Sequence, residues 1–283
     1  MYAFWVILTA SLVAVACSLL GCFLVLRRMA MVADAISHSI LPGIIIAFLF
    51  TGTYHTGSML LGAGVVGFLT TLGIEFLHKR LHLQTDAAIG VTFTTLFSVG
   101  VILISAFAEQ VDLDQECVLY GEIAYVPLEL YAVWGSPAIP MAVWTMGGVL
   151  LLIILFIVLF FKELQLTSFD HSFAKTVGMS TQLWHYCLMG LVAVTTVAAF
   201  ESVGAILVVA LMIVPAAIAH LFSPTLKVML WLASVVGIVM AVLGYYLAVL
   251  IDGSMAGAMA TVGGVMFAVA AFWVNIKKKH KLS

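Results

Sequence analysis

Asp34 and His38 lie four residues apart in MVADAISHSILPG, residues 31–43, a segment otherwise built from apolar and small side chains. On a helix, positions i and i+4 share one face, so a carboxylate and an imidazole would stand side by side. Counted from Arg28 at about 1.5 Å per residue, Asp34 falls roughly 9 Å and His38 roughly 15 Å along such a helix. The second value is near the middle of an apolar layer about 30 Å thick. An ionised Asp there costs several kcal/mol unless it is paired or hydrated. Pro42 has no N–H, so it removes the hydrogen bond to the His38 carbonyl and predicts a kink. The freed carbonyl offers a third ligand, an oxygen. Such an O,N set suits divalent Mn, Fe or Zn, and without a thiolate it disfavours copper(I). Ionisable groups inside a membrane usually serve a pathway, which favours a transport site over a hydrogen bond that only ties helices together. The two residues do not separate a metal site from a proton relay.

Other ionisable groups at membrane depth carry weaker signals. Glu201 ends an apolar run and reads first as a hydrated helix end, second as a further metal station. His220, in VPAAIAHLFSP, reads first as a snorkelling boundary group and second as part of a pathway. Glu75 and His78, beside Lys79, read as a solvated face, and Met212 reads as core.

A membrane-embedded frame must position these groups. Of the 283 residues, 64% are hydrophobic and 8% charged. A soluble domain carries about a quarter charged residues, so the composition predicts an all-α polytopic membrane protein, with 1–283 as one transmembrane domain. Runs long enough to cross a bilayer fall at 3–26, 32–50, 59–77, 87–107, 141–161, 184–200, 204–222, 228–251 and 255–276. They predict nine spans. Only Glu201, Ser202 and Val203 separate 184–200 from 204–222, so an eight-span chain with one broken helix there also fits. The first run has no basic leader and no small-residue cleavage site, and reads as a span rather than a removed signal. The four cysteines, Cys17, Cys22, Cys117 and Cys187, match no zinc or disulfide spacing. Walker A, H-E-x-x-H and G-x-S-x-G patterns are missing from the sequence.

With nine crossings and the N-terminus outside, every Lys and Arg falls on one side: Arg27, Arg28, Lys79, Arg80, Lys162, Lys175, Lys227 and the C-terminal lysines. The positive-inside bias makes that side, and the C-terminus, cytoplasmic. The outer loop 108–140 is then acidic, with Asp112, Asp114, Glu116 and Glu122 and no basic residue among them. It reads either as a solvated loop or as a surface that concentrates cations and meets basic groups of a docked protein. The inner loop 162–183 predicts a short helix capped by Ser168 or Asp170 and ended by Gly178. Its apolar Phe169, Phe173 and Ala174 are expected to face a partner or the membrane surface.

Five segments, in order, carry a family resemblance: DAISHSILPG at 34–43, TDAAIGV at 85–91, DLDQECVLYGEI at 112–123, LTSFDHSFAKTVGM at 166–179 and ESVGAILVVALMIVPAA at 201–217. Together they resemble the manganese/zinc/iron ABC importer permeases over nearly the whole chain. The resemblance implies an all-helical fold related to the cobalamin importer permeases and a dimer of permease subunits, identical or paralogous. It also implies two ATPase subunits beneath and an extracellular metal-binding protein above. It maps Asp34 and His38 onto metal-coordinating positions and 168–179 onto the coupling helix. The aspartate-rich outer loop is most similar to manganese-type members.

The expected function is therefore a membrane subunit, not an enzyme, of an ATP-driven divalent metal importer in a bacterial plasma membrane. Manganese is the first candidate cargo, zinc and iron the others. No cofactor is expected to stay bound, and the partner subunit binds ATP. The alternative is a proton- or ion-coupled secondary carrier that uses Asp34 and His38 as a relay and needs no such inner loop. An intramembrane enzyme finds little support, since Ser37 is adjacent to His38 and points away from it.

Overall fold

The computed structural model describes residues 2–52, 56–107, 123, 124, 126, 130, 131 and 139–282. In lipid no water satisfies backbone N–H and C=O groups, so the chain crosses as helices that close their own hydrogen bonds. The membrane helices are α1 (Tyr2–Leu26), the pair α2 (Val32–Ser39) and α3 (Leu41–Thr51), α4 (Thr56–Arg80) and α5 (Thr85–Phe107). After the outer segment come α6 (Met141–Leu159), two short helices α7 (Phe161–Phe169) and α8 (His171–Thr176), then α9 (Thr181–Val203), α10 (Ala205–Phe222), α11 (Leu226–Ile251) and α12 (Met255–Leu282). Counting α2 and α3 as one span, nine helices among the described residues are long and apolar enough to cross a membrane.

The helices form two packed groups. α1 lies against α6, α10 and α11, and α12 packs on α10 and α11. The second group is α2 to α5, and α9 joins the two by touching α1, α2, α4, α6 and α10. Between the groups the core is apolar, with Phe23, Leu20, Ile36, Leu188 and Met212 fully buried. Thr and Ser hydroxyls inside the spans are satisfied locally. Thr70 donates to the Val66 carbonyl at 2.8 Å and Thr195 to the Leu191 carbonyl at 2.8 Å. Small residues bring backbones close: a methyl group added to Gly43 of α3 or to Gly62 of α4 would overlap the other's carbonyl oxygen.

The ambiguous region 184–222 is two helices. Gly204 alone divides α9 from α10, with φ +78° and ψ 165°, a conformation open to glycine and to little else. Among the described residues the one strand pairing is a two-residue ladder in the outer loop. Leu130 of β1 (Leu130–Tyr131) sits opposite Pro140 of β2 (Ile139–Pro140), antiparallel. Asp112, Asp114, Glu116 and Glu122 lie outside the described residues.

Candidate metal pathway

α1 ends in a turn that sets the direction of α2. The Met29 N–H donates to the Leu24 carbonyl at 2.9 Å and the Arg28 N–H to the Val25 carbonyl at 3.1 Å, a Schellman pairing. Arg28 stands where glycine is usual, at φ +58°. Residues 27–31 are therefore a turn rather than helix, and the helical rise begins at Val32. The depth counted from Arg28 needs correcting on this account. Along α2, Asp34 is only about 3 Å and His38 about 9 Å from Val32.

The expected break at Pro42 is present. α2 stops at Ser39, Ile40 intervenes, and Pro42 lies in the first turn of α3, where its missing N–H costs nothing. Asp34 and His38 share a face as their spacing requires, with His38 Nε2 3.5 Å from Asp34 Oδ1. Neither is sealed in a dry helix contact: 31% of the Asp34 side chain and 36% of His38 remain exposed. The His38 ring rests beside Phe93 and Phe97 of α5, with ring centres 6.1 and 6.3 Å away. Nothing in the spacing of α2 points to those two rings, because they come from a separate helix. Val32 and Ile36, both buried, lie on the opposite side of α2, where Ile36 packs against Gly67 of α4. Ser37 and Ser39 are buried and donate to the carbonyls of Ala33 at 3.0 Å and Ala35 at 2.6 Å. One face of α2 thus holds the helix in the fold, and the other presents a carboxylate and an imidazole to space this chain does not fill. Among the described residues no three His, Cys, Asp or Glu side chains come together, and Asp34 and His38 supply two donors, one oxygen and one nitrogen.

The weaker candidates separate. Glu201 belongs to the last turn of α9, and its side chain lies outside what the structure describes. His220 is exposed in the last turn of α10 and far along the chain from the α2 pair. Met212 is fully buried core. His78 is exposed, with Nδ1 2.8 Å from the Leu83 carbonyl oxygen. Glu75 corrects the expectation of a solvated face: it is 6% exposed, ion-paired with Lys79, and 3.5 Å from His185 Nε2.

The inner loop forms the short helix the sequence predicts. The Asp170 carboxylate accepts from the Phe173 N–H at 2.8 Å, so Asp170 is the cap. Ser168 is not a cap; its hydroxyl accepts instead from Arg27 Nε at 3.1 Å. Gly178, at φ +83°, ends α8 as its N–H meets the Lys175 carbonyl at 3.0 Å and the Met179 N–H meets the Ala174 carbonyl at 3.0 Å. Phe169 and Phe173 stand exposed. Ala174 does not join them: it is fully buried, on the side of α8 turned into the chain. A six-residue helix has room for both faces, and the small methyl fits the inner one.

The bundle is that of a multi-pass membrane protein with a broken, ionisable span, and its relatives make it a permease, a transport subunit rather than an enzyme. The chain belongs to the ABC 3 transport family, whose sequence profile matches residues 1–275. It is 47% identical over 266 residues to the manganese transport system membrane protein MntD of Bacillus subtilis (strain 168), covering 94% of this chain and 90% of that protein. It is 44% identical over 264 residues to the zinc transport system membrane protein TroD of Treponema pallidum (strain Nichols), covering 93% of this chain and 72% of that protein. Among solved structures, PsaBC from Streptococcus pneumoniae in complex with Fab shares the fold with a TM-score of 0.78 at 32% identity, covering 95% of this chain and 91% of that one.

Proposed function

We propose that the chain, acting as a single transmembrane domain, is the permease subunit of an ATP-driven importer of divalent metal, manganese before zinc or iron. The observation that carries the reading is the Asp34–His38 pair, 3.5 Å apart and one-third exposed on a broken membrane helix. A carboxylate and an imidazole on one face bind a doubly charged ion of this group with an open set of further ligands. The partly exposed side chains favour a path at the junction with a second permease subunit. The 47% identity to a manganese transport protein supports the choice of metal over the 44% identity to a zinc one.

In this reading metal comes from an extracellular binding protein that docks on the outer loop. The cation leaves water, meets Asp34 and His38, and is released inward when the helices around the break at Ile40 change their access. The chain carries no nucleotide-binding motif, so hydrolysis belongs to two ATPase subunits. α8 and the end of α7, with Phe173 and Phe169 outward, are the grip for them. The lysines and arginines then face the cytoplasm, and the N-terminus lies outside.

The test is uptake of manganese(II) into proteoliposomes holding the permease, its ATPase subunits and the metal-binding protein, with elemental analysis of the purified assembly. ATP-dependent uptake, and metal that is lost in Asp34→Ala, support the proposal. Uptake by the permease alone under a proton gradient would replace it with a secondary carrier.

A further inference from the structure

Arg27 follows the last residue of α1 and stands five residues before α2 begins. Its guanidinium reaches the end of α7, 140 residues further along the chain. Nε donates to Ser168 Oγ at 3.1 Å, and Nη2 donates to Thr167 Oγ1 at 3.0 Å. Nη1 lies 3.5 Å from His185 Nδ1 on α9. From His185 the chain of polar contacts continues to the buried Glu75 carboxylate on α4, and from Glu75 to Lys79, whose ammonium also sits over the Tyr186 ring at 5.7 Å. Thr167 is buried, and Thr167 and Ser168 lie in the last turn of α7, two to three residues before the α8 cap Asp170.

A cavity of about 220 Å³ opens beside this network, lined by Arg27, Met29, Val32, Glu75, Lys79 and His185 among others. It lies on the Val32 side of α2, the side turned away from Asp34 and His38. A cation would meet Arg27 and Lys79 there, two positive groups that repel it. The cluster is therefore a poor metal station. It is instead a polar connection that joins α7, α9 and α4 to the elbow between α1 and α2.

We propose that Arg27 is a positioning residue that couples α8 to the helix carrying Asp34 and His38. This rests on the reading that α8 grips an ATPase subunit. When the ATPase pulls α8, Thr167 and Ser168 move with it, and the fork on Arg27 drags the turn from which α2 starts. The His185–Glu75 branch makes α9 and α4 follow, and the cavity supplies the free volume for that shift. Arginine is needed because its planar fork holds two hydroxyls and an imidazole in one geometry; a lysine ammonium on its flexible stem cannot span all three. Burial lowers the Arg27 guanidinium to about 10, which leaves it charged at neutral pH.

The experiment measures manganese(II) uptake and ATP hydrolysis in parallel on the complete transporter in proteoliposomes. In Arg27→Gln and Arg27→Lys the ratio of metal moved to ATP hydrolysed is expected to fall about tenfold, the size of an ordinary coupling free energy, while hydrolysis stays within about twofold. Thr167→Val keeps the guanidinium, removes one acceptor, and is expected to lower the same ratio. It decides the matter if Arg27→Gln fails to assemble. Arg28→Gly, one residue on and exposed, is expected to leave the ratio unchanged. A ratio unaltered in both Arg27→Lys and Thr167→Val overturns the proposal, as does hydrolysis falling in step with uptake in both. A wild-type complex that moves no metal with ATP overturns the reading beneath it as well, and so is told apart from failure of Arg27 alone.

Discussion

Gly21 of α1 lies so close under Met212 of α10 that a methyl group added to it would overlap the Met212 carbonyl oxygen. The obstacle is backbone, which cannot swing aside as a side chain does. Gly21→Ala is therefore expected to lose about 2–3 kcal/mol or more of stability, the range of overpacked cores. Gly64→Ala, where nothing stands within 4 Å, serves as the comparison and is expected to be neutral or slightly stabilising. Thermal unfolding of the detergent-solubilised protein checks the pair; equal midpoints would mean that α1 and α10 do not meet at this crossing.

Asp34 and His38 contribute unequally to a hard divalent ion. A carboxylate brings charge and oxygen, an imidazole neutral nitrogen. Asp34→Ala is expected to abolish manganese uptake at unchanged yield of assembled transporter. His38→Gln is expected to reduce it by about tenfold, roughly 1.4 kcal/mol of binding, since the carboxylate remains. Cell growth dependent on manganese supply is the readout, and normal growth of Asp34→Ala would place the pathway elsewhere.

Asp170 caps a helix of only six residues, so its single hydrogen bond to the Phe173 N–H matters more than in a long helix. Asp170→Ala is expected to cost α8 about 1 kcal/mol. Amide hydrogen exchange across 171–178 would then speed up by about fivefold, with the rest of the protein unchanged. Asp170→Ser, which keeps an acceptor, should recover most of the protection.

The two sides of the segment from the end of α7 through α8 predict opposite kinds of damage. Phe169→Ala or Phe173→Ala removes an exposed ring and is expected to weaken capture of the ATPase subunit without altering unfolding. Ala174→Leu forces a larger side chain into a fully buried position and is expected to destabilise the docking of α8 by about 1–3 kcal/mol. Co-purification of the ATPase, together with thermal unfolding, separates the two effects. Weak capture from Ala174→Leu at full stability would reverse the assignment of the faces.

Much of this architecture is legible in the amino-acid sequence. Span length is dictated by bilayer thickness, so apolar runs alone placed the membrane helices to within a turn or so. Asp34 and His38, one turn apart, needed only the helical repeat to share a face. Asp170 and Gly178 were readable because caps are local chemistry, settled within three or four residues of chain. The break before Pro42 follows from proline's missing N–H alone.

Tertiary structure decided the rest. Residues facing lipid and residues facing the core are both apolar here, so the usual alternation that marks the inner side of a helix is faint, and sequence could not show that α2 turns Ile36 inward and His38 toward Phe93 and Phe97. Glu75 beside Lys79 has the local signature of a solvated helix end. It is buried where α9 brings His185 against it from more than a hundred residues away. Arg27 reads from its neighbours as one of two basic residues marking the inner boundary. Its three contacts lie 140 to 158 residues further on, and no local pattern encodes an approach that depends on how α1, α7 and α9 pack together.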